Sequence, residues 1–351
     1  MNKKVSRVVP LCLLLALPAH LFAQTGDPAP QIKVGKNGRP NWVNAPYAAY
    51  NKKYYLAYVG HAQSRAGAEA AALGNLSGYF GQSVKTELRV AESHSEDLRK
   101  GRLNAASAQS LSSETFIASD VDQLLGAEIA AVWEDGKTGT HYALAVMNKT
   151  RCAYMYTARL LMSFVQLAAL VEPHEGEPSM EDVVRLYTAA KVAAEGERYA
   201  RMVYLLNGTR QTLPREDEYR LKARVAARAI PVYVTVQSDS DNKIHAALSS
   251  VLTEAGFTVS EAPARYTLAA RCQLSQVDLP VQPNTFARYE ITVALKDTRS
   301  GGTLTTFTAS GRQGHVGWNE AAARALRAAE SDIKTKFAAA LNAYLSSAAA
   351  H

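Results

Sequence analysis

The sequence predicts an α+β protein built from two α+β domains that are joined by a helical segment. Runs typical of strands occur in two separate regions, residues 46–150 and residues 230–347, and each region also carries Ala-rich helical patterns. Residues 151–229 between them carry three helical patterns. Without a leader peptide the chain keeps roughly 330 residues, enough for two or three domains of ~150 residues.

Residues 1–23 have the pattern of a secretory signal peptide. They combine a basic start, an apolar stretch over residues 8–17 and the small residue Ala23 at the expected cleavage position. Leu21 is larger than such cleavage sites prefer, so the exact bond stays open. We therefore expect an exported, periplasmic protein, and the sequence leaves association with the outer membrane open.

The three cysteines predict neither a lipid anchor nor a disulfide framework. Cys12 lies near the front of the apolar stretch, whereas a lipidated cysteine must lie at the cleavage point, so we assign Cys12 to the signal peptide. Cys152 and Cys272 then remain, too few for a disulfide scaffold in a chain of this length. Cys272 falls on the apolar side of an alternating run and is expected to be a small buried hydrophobe. A bond between Cys152 and Cys272 stays open.

The charge distribution argues against a nucleic-acid partner. The full chain has a formal net charge of +7, and three of its positive charges lie in the signal peptide. Residues 24–150 carry 13 basic and 12 acidic groups, residues 151–229 carry 12 and 10, and residues 230–351 carry 11 and 10. Because no segment has a basic footprint, nucleic acid is not expected to bind.

The stretch closest to a second membrane span is Cys152–Val171, but it contains Arg159. A charged side chain at a bilayer centre costs about 2.5–3.5 kcal/mol, so we expect no transmembrane span after the signal peptide. Arg159, Ser163 and Gln166 fall on one helical face. The apolar residues of the other face are Leu160, Leu161, Phe164, Ala168 and Val171. This pattern predicts an amphipathic helix whose apolar face covers a core.

The first domain, residues 46–150, is predicted to follow an extended leader over residues 24–45, with folding from about Trp42. Tyr54–Gly60 is dense in aromatic and apolar residues and predicts a buried strand. An Ala-rich helix from Arg65 follows. Its apolar stripe consists of Leu73, Leu76, Phe80 and Val84.

A polar stretch and a hairpin complete the first domain. Residues 93–113 are polar and predict a loop or a solvated helix. The strand-like runs Ala127–Trp133 and Thr140–Met147 flank Glu134–Gly139, whose glycines supply the backbone freedom of a turn.

The helical segment, residues 151–229, precedes a C-terminal domain over residues 230–347. Ser179 with Asp182 makes a capping box for the second of the three helices. The C-terminal domain has the predicted order βαβββα. Its predicted strands are 232–236, 266–277, 288–297 and 303–311, its first helix runs from a cap at 239–242 to about 255, and its closing helix is 319–345. We expect both helices to pack on one sheet face.

We expect the closing helix to pack on the sheet because it carries one apolar stripe. The stripe is formed by Ala325, Ala328 or Ala329, Ile333, Phe337, Leu341 and Tyr344. Burial of Phe337 and Leu341 should matter to stability, and the free sheet face or an exposed edge strand could then bind a partner.

The first domain also carries a pattern of core and turn residues that contains no chemical motif. The pattern comprises Pro40–Val43 with Pro46, the strand end Tyr58–Gly60, the Ala-rich helix and the hairpin from Gly126 to Ala145. It resembles the Lpp-twenty-type family of small bacterial envelope lipoproteins and the related N-terminal domain of flagellar assembly protein T. The resemblance implies an envelope or flagellum-associated role and brings no catalytic residues. The chain departs from the lipoproteins in lacking a lipidation cysteine.

Three short motifs match those of penicillin-binding proteins and serine β-lactamases, in which a lysine activates a serine nucleophile. They are Ser331–Lys334, Ser240–Asn242 and Lys137–Gly139, and their order along the chain is the reverse of that in the enzymes. No circular permutation converts one order into the other, and each motif has an ordinary local explanation. We therefore expect no catalytic site.

We also expect no metal and no cofactor. The eight histidines are scattered, and none pairs with another His or Cys at ligand spacing. A calcium-like start at Asp239 and Asp241 lacks the oxygen ligand and the glycine that should follow. His94 beside Glu96 and Asp97 is expected to belong to a solvated surface.

These observations favour binding or assembly in the cell envelope without catalysis, with envelope proteins or cell-wall components as partners. The alternative is a periplasmic enzyme acting on cell-wall material, which would need a deep pocket with convergent polar groups. A tyrosine-rich segment over residues 47–58 suggests a contact surface. Large aromatic residues more often fill cores, so we expect alternate tyrosines to face the core. The oligomeric state stays open.

Overall fold

The computed structural model confirms the predicted α+β class. It describes residues 29–35, 38–98, 124–172, 176–212, 214–239, 241–277 and 283–347, with the side chains of the helix at 65–98 described as far as residue 82. The chain divides into two compact units, Met1–Cys152 and Ala153–His351. The predicted signal peptide, and most of the predicted polar stretch at 93–113, lie outside the described residues.

The first unit contains a three-stranded antiparallel sheet in the order β1–β3–β2. Its described elements are a 3₁₀ turn at Asn41–Val43, α1 (Pro46–Ala49), β1 (Tyr55–Ala62), α2 (Arg65–Leu98), β2 (Ala127–Asp135) and β3 (Thr140–Asn148). The predicted hairpin is thus present as β2 and β3. The buried stripe of α2, which packs across β1 and β3, is formed by Ala68, Ala72, Leu76 and Phe80.

The end of the predicted leader, residues 24–45, is folded rather than extended. The side-chain amide of Asn41 donates to the carbonyl of Gln31 (3.0 Å), and its oxygen accepts from the backbone N–H of Lys33 (3.1 Å). Trp42 is only 1 % exposed in the core on the sheet face opposite to α2. The first domain therefore includes Trp42, because a large indole placed beside a sheet gains free energy by burial.

The second unit contains a five-stranded mixed sheet in the order β5–β4–β6–β7–β8. Its elements are α3 (Lys149–Leu170, whose first four residues are counted with the first unit), α4 (Met180–Asn207), α5 (Glu216–Arg228), β4 (Pro231–Gln237), α6 (Lys243–Glu254), β5 (Thr258–Ser260), β6 (Tyr266–Val277), β7 (Thr285–Asp297), β8 (Thr303–His315), α7 (Trp318–Asp332), a π-helical turn (Ile333–Phe337) and α8 (Ala338–Leu345). β4 is parallel to β5 and β6, and β6, β7 and β8 are antiparallel.

The C-terminal region differs from the predicted order βαβββα by one additional short strand, β5. The closing helix covers the predicted span but contains the π-helical turn. Its predicted apolar stripe is confirmed, since Ala325, Ala329, Ile333, Phe337 and Leu341 are all buried in one core.

The core of the C-terminal sheet also contains residues of the helical segment at 151–229. Met180 and Val183 of α4 belong to the same buried cluster as the sheet. The backbone N–H of Met180 donates to the hydroxyl of Tyr266 on β6 (3.1 Å). The predicted capping box at Ser179 is present. The predicted C-terminal domain starts at residue 230, but in the structure its core also includes residues of α4.

The helix α3 differs from the predicted amphipathic pattern. Ser163, expected on the polar face, is only 3 % exposed, and its hydroxyl donates to the carbonyl of Arg159 (3.2 Å). Met162 and Val165 are exposed instead. A serine that satisfies its hydroxyl within its own helix can be buried at little cost. None of the described helices is both long enough and apolar enough to cross a membrane.

A buried ion pair fixes one end of the C-terminal sheet. Asp297, 6 % exposed at the end of β7, accepts from both Nε (3.1 Å) and Nη2 (2.9 Å) of Arg265. It also accepts from the backbone N–H of Arg299 (2.9 Å). The hydrogen bonds from Arg265, the largest influence, lower the pKa of Asp297 below its ordinary value although burial opposes this. The charged carboxylate therefore stabilises the folded state.

Asp297→Asn should lower the free energy of unfolding by about 1–3 kcal/mol at neutral pH, because hydrogen bonds to a buried charge are lost. The folded pKa lies below the unfolded one, so this contribution is present above about pH 4 and is lost as the pH falls through the folded pKa. Urea unfolding of both proteins across this range measures the difference. A difference that stays constant down to strongly acid pH would contradict the assignment.

Candidate interaction surface

The C-terminal sheet ends on a long strand with a single neighbour. β8 pairs with β7 from Thr303 to His315 and, within the described part of the chain, with no other strand. At ~3.4 Å per residue its length is about 40 Å. The opposite edge of the sheet is the three-residue strand β5. The main open edge of this sheet is therefore β8.

The edge strand lacks most of the features that protect natural edges from pairing. Natural edge strands are commonly guarded by charged side chains, prolines or bulges. β8 has no charged residue and no proline before Arg312. Its register with β7 shifts only between Leu295 and Lys296, near the start of β8. The remaining strand is a regular template to which an extended peptide could add main-chain hydrogen bonds.

The two faces of β8 have different surroundings. Leu304 and Phe307 are partly buried against the core, and the ring of Phe307 lies 5.7 Å from that of Phe337. Thr306, Thr308 and Ser310 are exposed on the other face. An added strand with the same alternation would extend the apolar layer on one side and leave polar groups in solvent on the other.

The free face of the same sheet is polar and is a weaker candidate for face packing. β6 and β7 expose charged and polar side chains there: Arg271, Gln273, Arg288, Glu290, Thr292 and Lys296. Arg288 and Glu290 form an ion pair of 2.8 Å. A face of this composition is well solvated, so the edge is the better candidate of the two surfaces predicted from the sequence.

The tyrosine-rich segment at 47–58 contributes mainly to the core of the first unit. Tyr50 is buried and meets Tyr55 edge-on at 5.1 Å between ring centroids. Tyr58 packs against Tyr79 at 5.9 Å, and burial, followed by the neighbouring tyrosines, raises its pKa to about 12. These contacts favour the core role that we expected for alternate members.

The penicillin-binding-like motifs have ordinary structural partners. Lys334 forms an ion pair with Glu330 (2.7 Å), whereas a lysine that activates a serine must give up its charge and face the hydroxyl. Asp332, between Ser331 and Lys334, accepts from the hydroxyl of Tyr289 (2.8 Å). Lys137–Gly139 lies in the β2–β3 turn of the other unit. Ser240 of the third motif lies outside the described residues.

A fluorescent penicillin is expected to leave the protein unlabelled, because Lys334 is held by Glu330 and not by a serine hydroxyl. Denaturing gel electrophoresis after incubation measures covalent labelling, with a penicillin-binding protein as the positive control. Labelling that Ser331→Ala abolishes would contradict this prediction.

The two remaining cysteines are free, buried thiols. Cys272 is 2 % exposed in the C-terminal core, which confirms its prediction as a small buried hydrophobe. Burial raises the pKa of the Cys152 thiol to about 11. Within the described ranges no group of three His, Cys, Asp or Glu side chains is placed to hold a metal ion. The side chains of residues 94–97 lie outside those ranges.

Two of the clefts lined by described residues lie within the second unit. The larger, about 390 Å³, lies between α4, α5, α6 and α8. Its Arg220 pairs with Glu216 (2.6 Å), and its Glu254 accepts from the hydroxyl of Ser250 (3.0 Å). The smaller, about 260 Å³, is lined in part by Leu170 and Leu186. No histidine, cysteine or lysine is among the described residues that line either cleft.

Comparisons with known proteins find solved structures of other bacterial proteins at low identity. No family model and no curated protein matches the chain. A secreted protein from Helicobacter pylori is 18% identical with a TM-score of 0.45, over 84% of this chain and 98% of that chain. A minor lipoprotein from Acinetobacter baumannii is 16% identical with a TM-score of 0.25, over 32% of this chain and 92% of that chain.

A lipoprotein from Neisseria meningitidis is likewise 16% identical with a TM-score of 0.22, over 34% of this chain and 99% of that chain. At TM-scores below 0.5 these likenesses carry no conclusion about this chain, and the family resemblance of the first domain, its flagellar part included, stays a prediction.

Proposed function

We propose that this is a non-catalytic, exported protein that works by binding and assembly in the cell envelope, and that a partner adds a strand to β8. The observation that carries the proposal is the open edge from Thr303 to Gly311, which has a regular register over most of its length and no charged guard. An unpaired edge of this kind risks aggregation, and a partner strand that pairs with it would remove that risk.

The chemistry of the edge favours a protein partner over a glycan. Strand addition is driven by main-chain hydrogen bonds, which a peptide backbone supplies and a cell-wall sugar does not. The partner is therefore an envelope protein with an extended segment, in the periplasm or at the outer membrane. A flagellum-associated partner is included in this proposal on the strength of the sequence resemblance.

A matched pair of variants tests the proposal. Thr308 on β8 and Thr292 on β7 are directly opposite each other, and both are exposed on the same sheet face. Thr308→Lys adds a charge at the edge, whereas Thr292→Lys adds the same charge one strand further in. We expect capture of a partner from envelope extract to fall about tenfold with Thr308→Lys, equivalent to ~1.4 kcal/mol, and to change little with Thr292→Lys.

The melting temperatures of both variants serve as the folding control, since exposed threonines contribute little to packing. Equal capture by the wild type and Thr308→Lys would exclude the edge as the binding surface.

Export makes a separate prediction about the mature N-terminus. Cleavage after Ala23 should leave Gln24 as the first residue of protein recovered from the periplasm. N-terminal sequencing of that fraction measures it. An intact Met1 on periplasmic protein would contradict removal of a signal peptide.

A further inference from the structure

The helix α3 exposes apolar side chains along much of its length. Tyr154 is 58 % exposed, Met162 59 % and Val165 68 %. Its opposite side is already occupied by the protein's own fold, through buried residues such as Leu160 and Leu167. Contiguous exposed apolar surface on a soluble protein marks an interaction site.

The exposed residues follow the spacing of a helix–helix interface. We define the α3 seam as Tyr154, Ala158, Leu161, Val165 and Ala168. Successive members are four, three, four and three residues apart, the alternation of coiled-coil seams. Four of them are exposed and Leu161 is half-buried. The seam contains no charged residue, so a second helix could cover it without burying a charge.

We propose that the α3 seam binds the α3 seam of a second copy of this chain, with the two helices antiparallel about a two-fold axis. Two-fold dimers place the same patch on both subunits, which requires a self-complementary surface. The seam combines the large side chains of Tyr154, Leu161 and Val165 with the small ones of Ala158 and Ala168, so Val165 of one copy can pack against Ala158 of the other. The surface thus complements itself in shape.

The charges at the ends of α3 set the direction of the pair. Arg151 is exposed in the first turn, and Glu172 is exposed just beyond the last. Antiparallel helices bring Arg151 of each copy towards Glu172 of the other, whereas parallel helices would place like charges together. Antiparallel helix dipoles also oppose each other favourably.

A second copy fits this surface better than a membrane does. Helices that lie on membranes combine an apolar face with a polar face rich in Lys and Arg. The side of α3 opposite to the seam is buried in the fold, and Arg159 is the one basic residue between Cys152 and Val171. A single-helix interface is small beside the ~1,200–2,000 Å² of stable complexes, so the dimer should be weak, with a micromolar dissociation constant.

Sedimentation velocity of the mature protein over a range of concentrations tests the proposal. The wild type should shift from monomer to dimer in the micromolar range, and Val165→Lys should raise the dissociation constant at least tenfold. Gln166→Lys is the matched control, because Gln166 is the exposed neighbour outside the seam. It should dimerise like the wild type.

Charge reversal tests the antiparallel direction. Arg151→Glu and Glu172→Arg should each weaken the dimer, and the double variant should recover it. A wild type that stays monomeric at several hundred micromolar overturns the proposal. Flotation of that monomer with phosphatidylglycerol vesicles would indicate that the seam binds a membrane instead. A dimer that Thr308→Lys disrupts and Val165→Lys does not also overturns the proposal, because it would place self-association on β8. A monomeric wild type would leave the strand-addition proposal intact, whereas a dimer through β8 would make the partner at that edge a second copy.

Discussion

Replacing Phe337 by Ala should lower the free energy of unfolding by about 3–5 kcal/mol, a large fraction of the ~5–15 kcal/mol of a typical domain. Phe337 is 2 % exposed in the core of the second unit, and its ring lies 5.7 Å from that of Phe307. Truncation would leave a cavity between the closing helix and the sheet. Urea unfolding of the mature protein, followed by circular dichroism, measures the change.

Lys334→Ala is the matched control on the same π-helical turn. Its side chain is half exposed and pairs with Glu330 at the surface, so its loss should cost about 1 kcal/mol or less. Similar small effects of both substitutions would mean that the closing helix does not contribute to the core as described.

Replacing Gly60 by Val should destabilise the first unit by about 3 kcal/mol or more, at or above the upper end of ordinary overpacking. Gly60 lies on β1 where α2 crosses it closely. A Cβ atom at residue 60 would lie 2.1 Å from the backbone nitrogen of Ala72 and 2.5 Å from the carbonyl carbon of Ala71. Backbone atoms cannot rotate away, so the whole helix would have to move. Thermal unfolding measures the loss.

Gly78→Ala on the outer side of α2 is the control for this substitution. A Cβ atom there meets nothing within 4 Å, and alanine is the better helix former by about 0.5–1 kcal/mol. This variant should therefore be slightly more stable than the wild type. A Gly60→Val protein with wild-type stability would contradict the close approach of α2 to β1.

Local sequence patterns predict most strands and helices. They fail where contacts with residues distant in the sequence determine where an element ends or which side chains are buried. The predicted strand 303–311 ends at Gly311, and glycines generally weaken strands. In the structure β8 continues to His315 because aromatic rings on β7 cover its glycines: Tyr289 lies over Gly311, and Phe286 lies over Gly314. Such cross-strand cover depends on the register, which the sequence of one strand does not contain.

Contacts between distant segments also explain why the buried cores extend beyond the predicted domain boundaries. Trp42 and Met180 lie in segments without a strand pattern, yet each is buried against a sheet formed elsewhere in the chain. The three-residue strand β5 is too short to show alternation. In α3, apolar residues occur around most of the helix, so periodicity could not determine whether Ser163 or Val165 would face the core.

The candidate interaction surface was predictable in part. The sequence predicted β8 as a strand and indicated that an exposed edge could bind a partner. It could not predict that β8 is the edge, because the strand order β5–β4–β6–β7–β8 is fixed by pairing between distant segments. The sequence analysis does not identify the α3 seam, because it places two of the seam's members, Leu161 and Ala168, on the face that covers the core. The alternation of four and three residues from Tyr154 to Ala168 was the available signal.

Site-specific photo-cross-linking in cells tests the binding role of β8 most directly. Ser310 on β8, Glu290 on β7 and Gln273 on β6 form one row across the exposed sheet face. A photoreactive side chain in place of Ser310 should form an adduct with an envelope protein in the periplasmic or outer-membrane fraction, and the same side chain in place of Gln273 should not. Equal adducts from both positions, or no adduct from Ser310, would contradict the proposal that the exported protein binds its partner through β8.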